Sequence, residues 1–263
     1  MARVGLLYPA ARTLLSTCSR TVFPTLVTGL DNVPVEGPAI LAPNHISFLD
    51  SVLLIARLPR RVVFVGKAEY LDSWKTRFLF PAIGMIPIDR GNPRASLTAL
   101  DRAAEVLEAG LLFVIFPEGT RSRSGLLHKG RTGVARLALS TGSPIIPVGI
   151  VGTDLAQPPG AAVPRPFRRC EVHFGSPLAV GHYQGRRGAD VYRSLTDELM
   201  FEIGQLSGQR YVDRYAERPA IPPLPPDPLP DTAPDTAPDT APDFSGGPPN
   251  TEQGWSPTGA AAS

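Results

Sequence analysis

Cysteine is nearly absent: Cys18 and Cys170 are the only two in 263 residues, and no C-x-x-C pair occurs. That argues against a disulfide framework and a structural zinc site, and makes a reducing compartment the default. No uninterrupted apolar run reaches the about 18 residues that a membrane-spanning helix needs. Aromatic residues make up only 7% of the chain and no RNP-like or helix-turn-helix cue accompanies them, so nucleic acid is not an expected partner. The Gly-x-Ser-x-Gly elbow of an α/β serine hydrolase is also missing. The segment Gly125-x4-Gly130-Arg131-Thr132 approaches a P-loop, but Arg131 stands where the phosphate-bridging lysine is required and the segment does not directly follow a strand. None of the four histidines has metal-ligand spacing with another, so no metal is expected.

Basic side chains stop at Arg218. Residues 219–263 hold no Lys or Arg and carry Asp227, Asp231, Asp235, Asp239, Asp243 and Glu252, a formal charge of −6; with the whole chain at +2, residues 1–218 hold +8. A basic body favours anionic partners such as phosphorylated substrates or an anionic lipid surface. The tail repeats Asp-Thr-Ala-Pro from positions 231, 235 and 239 amid thirteen prolines. Such composition buries too little apolar area to offset the entropy of ordering, so 219–263 is expected to be a disordered, solvated segment.

Residues 1–27 read as an amphipathic helical segment. Its apolar stretch Val4–Leu15 is interrupted by Arg12 and flanked by Arg3 and Arg20, a pattern that suits lying in a membrane interface or packing on the domain. Pro9 and the short apolar run argue against a cleaved signal peptide.

Residues 28–218 alternate strand and helix patterns. Strands are expected at 38–43, 62–65, 85–88, 111–116, 144–151 and 170–174, with helices at 47–57, 74–82, 94–109, 133–140 and 189–206. The continuously apolar run Leu111–Phe116, closed by Pro117, is the clearest buried strand. This alternation predicts one α/β domain with a mostly parallel central sheet flanked by helices.

Two short motifs suggest chemistry. In Asn44-His45-Ile46-Ser47-Phe48-Leu49-Asp50, an imidazole and a carboxylate stand five residues apart. On a regular helix that spacing separates side chains by about 140°, so they meet only if His45 precedes the helix. Ser47 as N-cap would arrange this, and would also make Ser47-x-x-Asp50 a capping box without catalytic content. Both readings stay open, since one carboxylate oxygen can serve the backbone while the other serves the imidazole. The second motif, Phe116-Pro117-Glu118-Gly119-Thr120-Arg121, follows a buried strand, where ligands collect in open α/β sheets. Gly119 permits a tight turn from which Thr120 and Arg121 offer donors to an anion, and the planar guanidinium can bind two phosphate oxygens at once. The bland alternative is a solvated surface turn.

With Gly84-Met85-Ile86-Pro87-Ile88-Asp89-Arg90 between these motifs and Ile145-Ile146-Pro147-Val148 after them, the stretch from about Thr28 to Ser176 resembles the glycerolipid acyltransferase family, specifically the bacterial 1-acylglycerol-3-phosphate (lysophosphatidic acid) acyltransferases. The resemblance implies that His45 is the general base, that Asp50 orients it, and that Gly84, Arg90, Glu118, Gly119, Thr120 and Arg121 shape the acceptor site, with Arg121 the main phosphate ligand. Lys67 sits where many members carry a basic residue near the phosphate, and Pro147 is structural or lines the acyl path. The donor would be a thioester, acyl-CoA or acyl carrier protein, with no bound cofactor, and lysophosphatidic acid would be the acceptor. Glycerol 3-phosphate, another lysophospholipid or a polar lipid remain alternative acceptors, and a non-catalytic membrane-surface protein the rival from another class. Amphiphilic substrates and the basic body lead to an expected peripheral position on the cytoplasmic face of the cell membrane. Of the remaining histidines, His128 follows the third block and is read as a neighbour of the site, His173 as solvent-facing or structural, and His182 as a loop residue.

Overall fold

The computed structural model describes residues 13, 16–67, 85–88, 95–183, 186 and 188–217. The chain divides into two units, Met1–Pro219 and Ala220–Ser263; the acidic tail beyond Pro219, the expected helix at 74–82, and Gly84 and Arg90 lie outside the described residues.

The described elements run β1 (Thr25–Thr28), β2 (Ala39–Pro43), α1 (Leu49–Arg57), β3 (Val62–Lys67), β4 (Met85–Ile88), α2 (Ala95–Glu108), β5 (Leu112–Val114), β6 (Leu127–His128), α3 (Gly133–Thr141), β7 (Ile145–Val151), α4 (Thr153–Ala156), β8 (Cys170–Phe174), α5 (Ala189–Ser207) and β9 (Tyr211–Val212). Seven strands form one sheet in the order β1-β8-β7-β2-β5-β3-β4, and β6 pairs with β9 separately. Every neighbouring pair in the large sheet is parallel except β7 with β8. The mostly parallel α/β sheet expected from the alternating pattern is therefore present.

The central strands are apolar throughout because both of their faces are covered. In β2, Ala39 and Leu41 pack on one side with Leu49, Leu53 and Leu54 of α1, while Ile40 and Ala42 point to the other, among α2, α3 and α5. Close approach of α5 to β7 depends on Gly149: a Cβ there would lie 2.5 Å from the backbone carbon of Leu206.

Three boundaries depart from the sequence pattern. The ladder of β5 ends at Val114 rather than Phe116, because after Ile115 N–H donates to Leu41 O the chain turns, with Gly119 N–H reaching Phe116 O. Helix α1 begins at Leu49, with Phe48 in the N-cap position, so Ser47 is not the cap; Ser47 Oγ still accepts the Leu49 N–H at 3.2 Å. The sheet starts at Thr25, ahead of the expected domain start at residue 28, because Thr25–Thr28 pairs in register with Cys170–His173 at the sheet edge.

Residues 16–22 are helical and held against the carboxyl end of α1. Ser16 Oγ donates to Ala56 O, and one Arg57 nitrogen donates to Ser19 O, Phe23 O and Thr25 Oγ1 at 3.4, 3.1 and 3.0 Å. For these residues, packing on the domain is what the structure shows. No described helix is long and apolar enough to cross a membrane.

Candidate active site

Strands β7, β2 and β5 lie side by side and parallel, so their carboxyl ends open on one edge of the sheet. That is where ligands bind in open parallel sheets. Three polar side chains are delivered just beyond these ends: Thr153 after β7, His45 after β2 and Glu118 after β5.

Asn44 fixes the point where β2 leaves the ladder. Its buried amide donates to Ile150 O at 2.8 Å and accepts the Ile150 N–H at 2.7 Å, replacing a strand pairing with a side chain. The amide's second donor hydrogen goes to Gln209 Oε1 at 2.8 Å, and Gln209 Nε2 donates to Gly125 O at 2.8 Å. The residue before His45 is thereby tied both to β7 and, through Gln209, to the loop that follows the Glu118 turn.

His45 precedes α1, which lets its ring fold back onto Asp50. Nδ1 lies 2.8 Å from Asp50 Oδ2, and the ring stacks on Phe116 with centroids 3.9 Å apart and planes 21° from parallel. The His45 side chain is 17% exposed while Asp50 is fully buried. An ionised carboxylate on Nδ1 selects the Nδ1–H tautomer and leaves the lone pair on Nε2, which has no hydrogen-bond partner among the described residues.

The sharing of Asp50 differs from the expectation of one oxygen for the backbone and one for the imidazole. Oδ2 serves both, accepting from Ile46 N–H at 2.8 Å and Ser47 N–H at 2.9 Å as well as from His45. Oδ1 instead accepts the hydroxyl of Thr153 at 2.5 Å. Backbone bonding of the turn ahead of α1 and imidazole orientation therefore coexist on a single oxygen.

Glu118 is fully buried and turned inward. Oε1 accepts the His45 N–H and Oε2 the His128 N–H, each at 3.0 Å. Burial pushes its carboxyl up to about 7; the two backbone donors, His128 then His45, oppose the rise, and the Asp50 charge adds to it. Ser122 N–H donates to His45 O at 2.7 Å. Both backbone groups of His45 are thus held by the 118–122 turn, so the two motifs form one unit. Glu118 braces that unit, each of its oxygens accepting one backbone N–H.

Gly119 occupies a left-handed conformation (φ 75°) that strains any other residue, and a Cβ there would lie 2.9 Å from Arg131 Nε and push that side chain aside. Thr120 is half-buried and Arg121 exposed, without an ion pair or hydrogen bond to another described residue. Arg121 adjoins Ser122, whose backbone is bonded to His45, so the guanidinium springs from the same loop that grips the base. Lys67 closes β3 at the same sheet edge. Pro147 lies within β7, opposite Ala42.

Beyond the expected set, the structure brings in Thr153, Gln209 and Ser122, and it sets the backbone of His128 against Glu118. His128 is buried, and its Nε2 lies 3.1 Å from Ser124 Oγ. His173 joins Thr28 and Glu171 on the sheet's outer strands, at 2.8 and 3.1 Å. Among the described residues, no group of three His, Cys, Asp or Glu side chains is placed to hold a metal ion.

A solvent-reached imidazole oriented by a buried carboxylate, beside a turn presenting an exposed guanidinium, can deprotonate a hydroxyl on a phosphorylated molecule. Residues 25–151 match the family model described as Acyltransferase. This segment is similar to acyltransferase-family domains. It holds β1 to β7 and with them His45, Asp50, Glu118 and Arg121. A chloroplastic 1-acyl-sn-glycerol-3-phosphate acyltransferase of Brassica napus is 31% identical over 140 residues, 53% of this chain and 40% of that protein. The enzyme of the same name from Borreliella burgdorferi is 31% identical over 129 residues, 49% of this chain and 52% of its own length. One from Limnanthes alba is 32% identical over 168 residues, 60% of each chain. The chain thus spans about half the length of these curated relatives. The crystal structure of the Thermotoga maritima 1-acyl-sn-glycerophosphate acyltransferase PlsC shares the fold, with a TM-score of 0.58 over 77% of this chain and 79% of that one at 23% identity.

Proposed function

We propose that this protein transfers a fatty acyl group from an acyl thioester to the free hydroxyl of 1-acylglycerol 3-phosphate, giving phosphatidic acid for phospholipid synthesis. The observation that supports this reading most is the 2.8 Å contact between His45 Nδ1 and Asp50 Oδ2, on a loop whose backbone is bonded to the Arg121 turn. Nε2 of His45 accepts the proton of the acceptor hydroxyl while its oxygen attacks the thioester carbonyl. The tetrahedral oxyanion collapses, the C–S bond breaks, and the departing thiolate takes the proton back from the imidazolium. The donor is already activated, so the protein contributes positioning and a base, and no covalent enzyme intermediate is formed. Arg121, with Thr120 on the Gly119 turn, holds the acceptor phosphate, and Lys67, Gly84 and Arg90 complete that site as the family resemblance implies. Coenzyme A or acyl carrier protein bears the acyl group, and no bound cofactor takes part.

The amphiphilic acceptor, the +8 charge of residues 1–218 and the Arg-punctuated N-terminus support peripheral attachment to the cytoplasmic face of the cell membrane. Sedimentation with anionic vesicles tests that attachment; failure to bind at low salt would remove it.

The reaction itself is tested with purified protein, one acyl-CoA, and a panel of lysophosphatidic acid, glycerol 3-phosphate and other lysophospholipids, scoring thiol release and product mass. Release should depend on lysophosphatidic acid and yield phosphatidic acid. His45→Ala should lose about 10² to 10⁴ in kcat with its melting temperature close to wild type. Acceptor-independent release, preference for another acceptor, or an active His45→Ala protein would each contradict the proposal.

A further inference from the structure

We propose that Thr153 is a positioning residue of the His45–Asp50 pair, a polar clamp on the side of the carboxylate away from the imidazole. The inference rests on the proposed role of His45 as base. Thr153 opens α4, beyond the 25–151 family segment and 103 residues from Asp50 in sequence. It is fully buried, and its hydroxyl donates to Asp50 Oδ1 at 2.5 Å.

The geometry gives this bond a specific task. Asp50 Oδ2 is already held by three donors, His45 Nδ1 and the N–H groups of Ile46 and Ser47. The terminal torsion of an aspartate is broad, so contacts on one oxygen leave the carboxylate plane only loosely set. Thr153 grips the second oxygen and fixes that plane, and with it the direction from which Oδ2 meets the imidazole. Without the hydroxyl, Oδ1 would be a buried, ionised oxygen with no described donor.

Thr153 is itself held in place. Gly152 turns β7 into α4 at φ 80°, and a Cβ there would lie 2.5 Å from Arg169 O. Gln157 N–H donates to Thr153 O at 2.7 Å, and the Gln157 side-chain oxygen accepts from Ser47 Oγ at 3.2 Å. Helix α4 and the residue that follows it thus meet α1 and the turn ahead of it through two side-chain bonds, Thr153 to Asp50 and Ser47 to Gln157. The ionisable groups that feel the Asp50 charge are His45 in direct contact, with Glu118 and Cys170 further off.

The test compares wild type with Thr153→Val, which keeps the shape and removes the donor, and Thr153→Ser, which restores it. Turnover and KM for lysophosphatidic acid are measured from about pH 5.5 to 9, alongside an NMR titration of the His45 ring. Thr153→Val should lower kcat roughly ten- to hundred-fold, the scale of one hydrogen bond to a charged group, and leave KM within about twofold. It should also change the His45 midpoint, because the carboxylate that faces the ring is no longer held at its second oxygen. Thr153→Ser should return both values towards wild type. A purely structural role would lower melting temperature without moving the midpoint. Wild-type kcat with an unmoved midpoint in Thr153→Val would overturn the proposal, as would a change confined to KM. If the wild-type protein acylates no acceptor, the functional reading fails, while the ring titration still decides the positioning claim. Thr153→Ala replaces the Val variant in both measurements should the latter not fold.

Discussion

Glu118 offers a pH-dependent signature of the joint between the two motifs. Its carboxyl lies near 4.5 in an unfolded chain and is pushed up to about 7 in the fold, with burial as the main cause. Between those values the folded protein binds a proton that the unfolded chain has released, so stability from this residue is greatest below about pH 4.5 and is lost as pH rises through about 7. A rise from 4.5 to about 7 corresponds to about 3 kcal/mol. Glu118→Gln has nearly the same volume and does not titrate. Its single oxygen serves one of the two backbone N–H groups of His45 and His128, leaving the other facing an amide at a cost of about 1 to 3 kcal/mol. The variant should therefore lag wild type most at about pH 4.5 and below. The gap should narrow by about 3 kcal/mol, roughly 6 to 12 °C for a folded unit of this size, as wild type loses its advantage towards about pH 8. Melting temperatures of both proteins in matched buffers across that range measure the gap directly. Parallel curves, with a gap independent of pH, would refute the reasoning.

Gly149→Ala should destabilise the fold by about 1 to 3 kcal/mol or more, because the added methyl meets the Leu206 backbone at 2.5 Å and α5 must shift; an unchanged melting temperature would show that the helix yields freely. Arg121→Ala should leave melting unaffected, since the side chain is exposed, and should raise KM for lysophosphatidic acid roughly ten- to hundred-fold, the scale of a charge-assisted hydrogen bond, with a smaller change in kcat. An unaltered KM would place the acceptor phosphate elsewhere.

Local pattern carried much of the architecture. The uninterrupted apolar character of β2, β5 and β7 follows from burial on both faces, and the spacing of apolar residues in α2 follows from burial on one. Both are periodicities written along the chain. The five-residue interval between His45 and Asp50 was likewise enough to require that His45 stand outside the helix. Short elements without periodicity, such as β1, α4 and the β6–β9 pair, left no such trace.

What the sequence could not reveal is which way each polar residue in a motif points. Glu118 and Arg121 stand three positions apart on one turn, yet the first is buried against two backbone N–H groups and the second is exposed. The partners that finish the site are also remote along the chain: Thr153 meets Asp50 across 103 positions, and Gln209 meets Asn44 across 165. By itself the sequence determined the strands and helices that carry a periodic or continuously apolar pattern, and set a candidate base beside an acid, because burial and spacing act over neighbouring residues. Only the tertiary structure decided how Asp50 divides its oxygens, that Glu118 bonds the backbone of His45 and His128, and that Thr153 meets Asp50, because those contacts exist only once the strand order sets β7, β2 and β5 side by side.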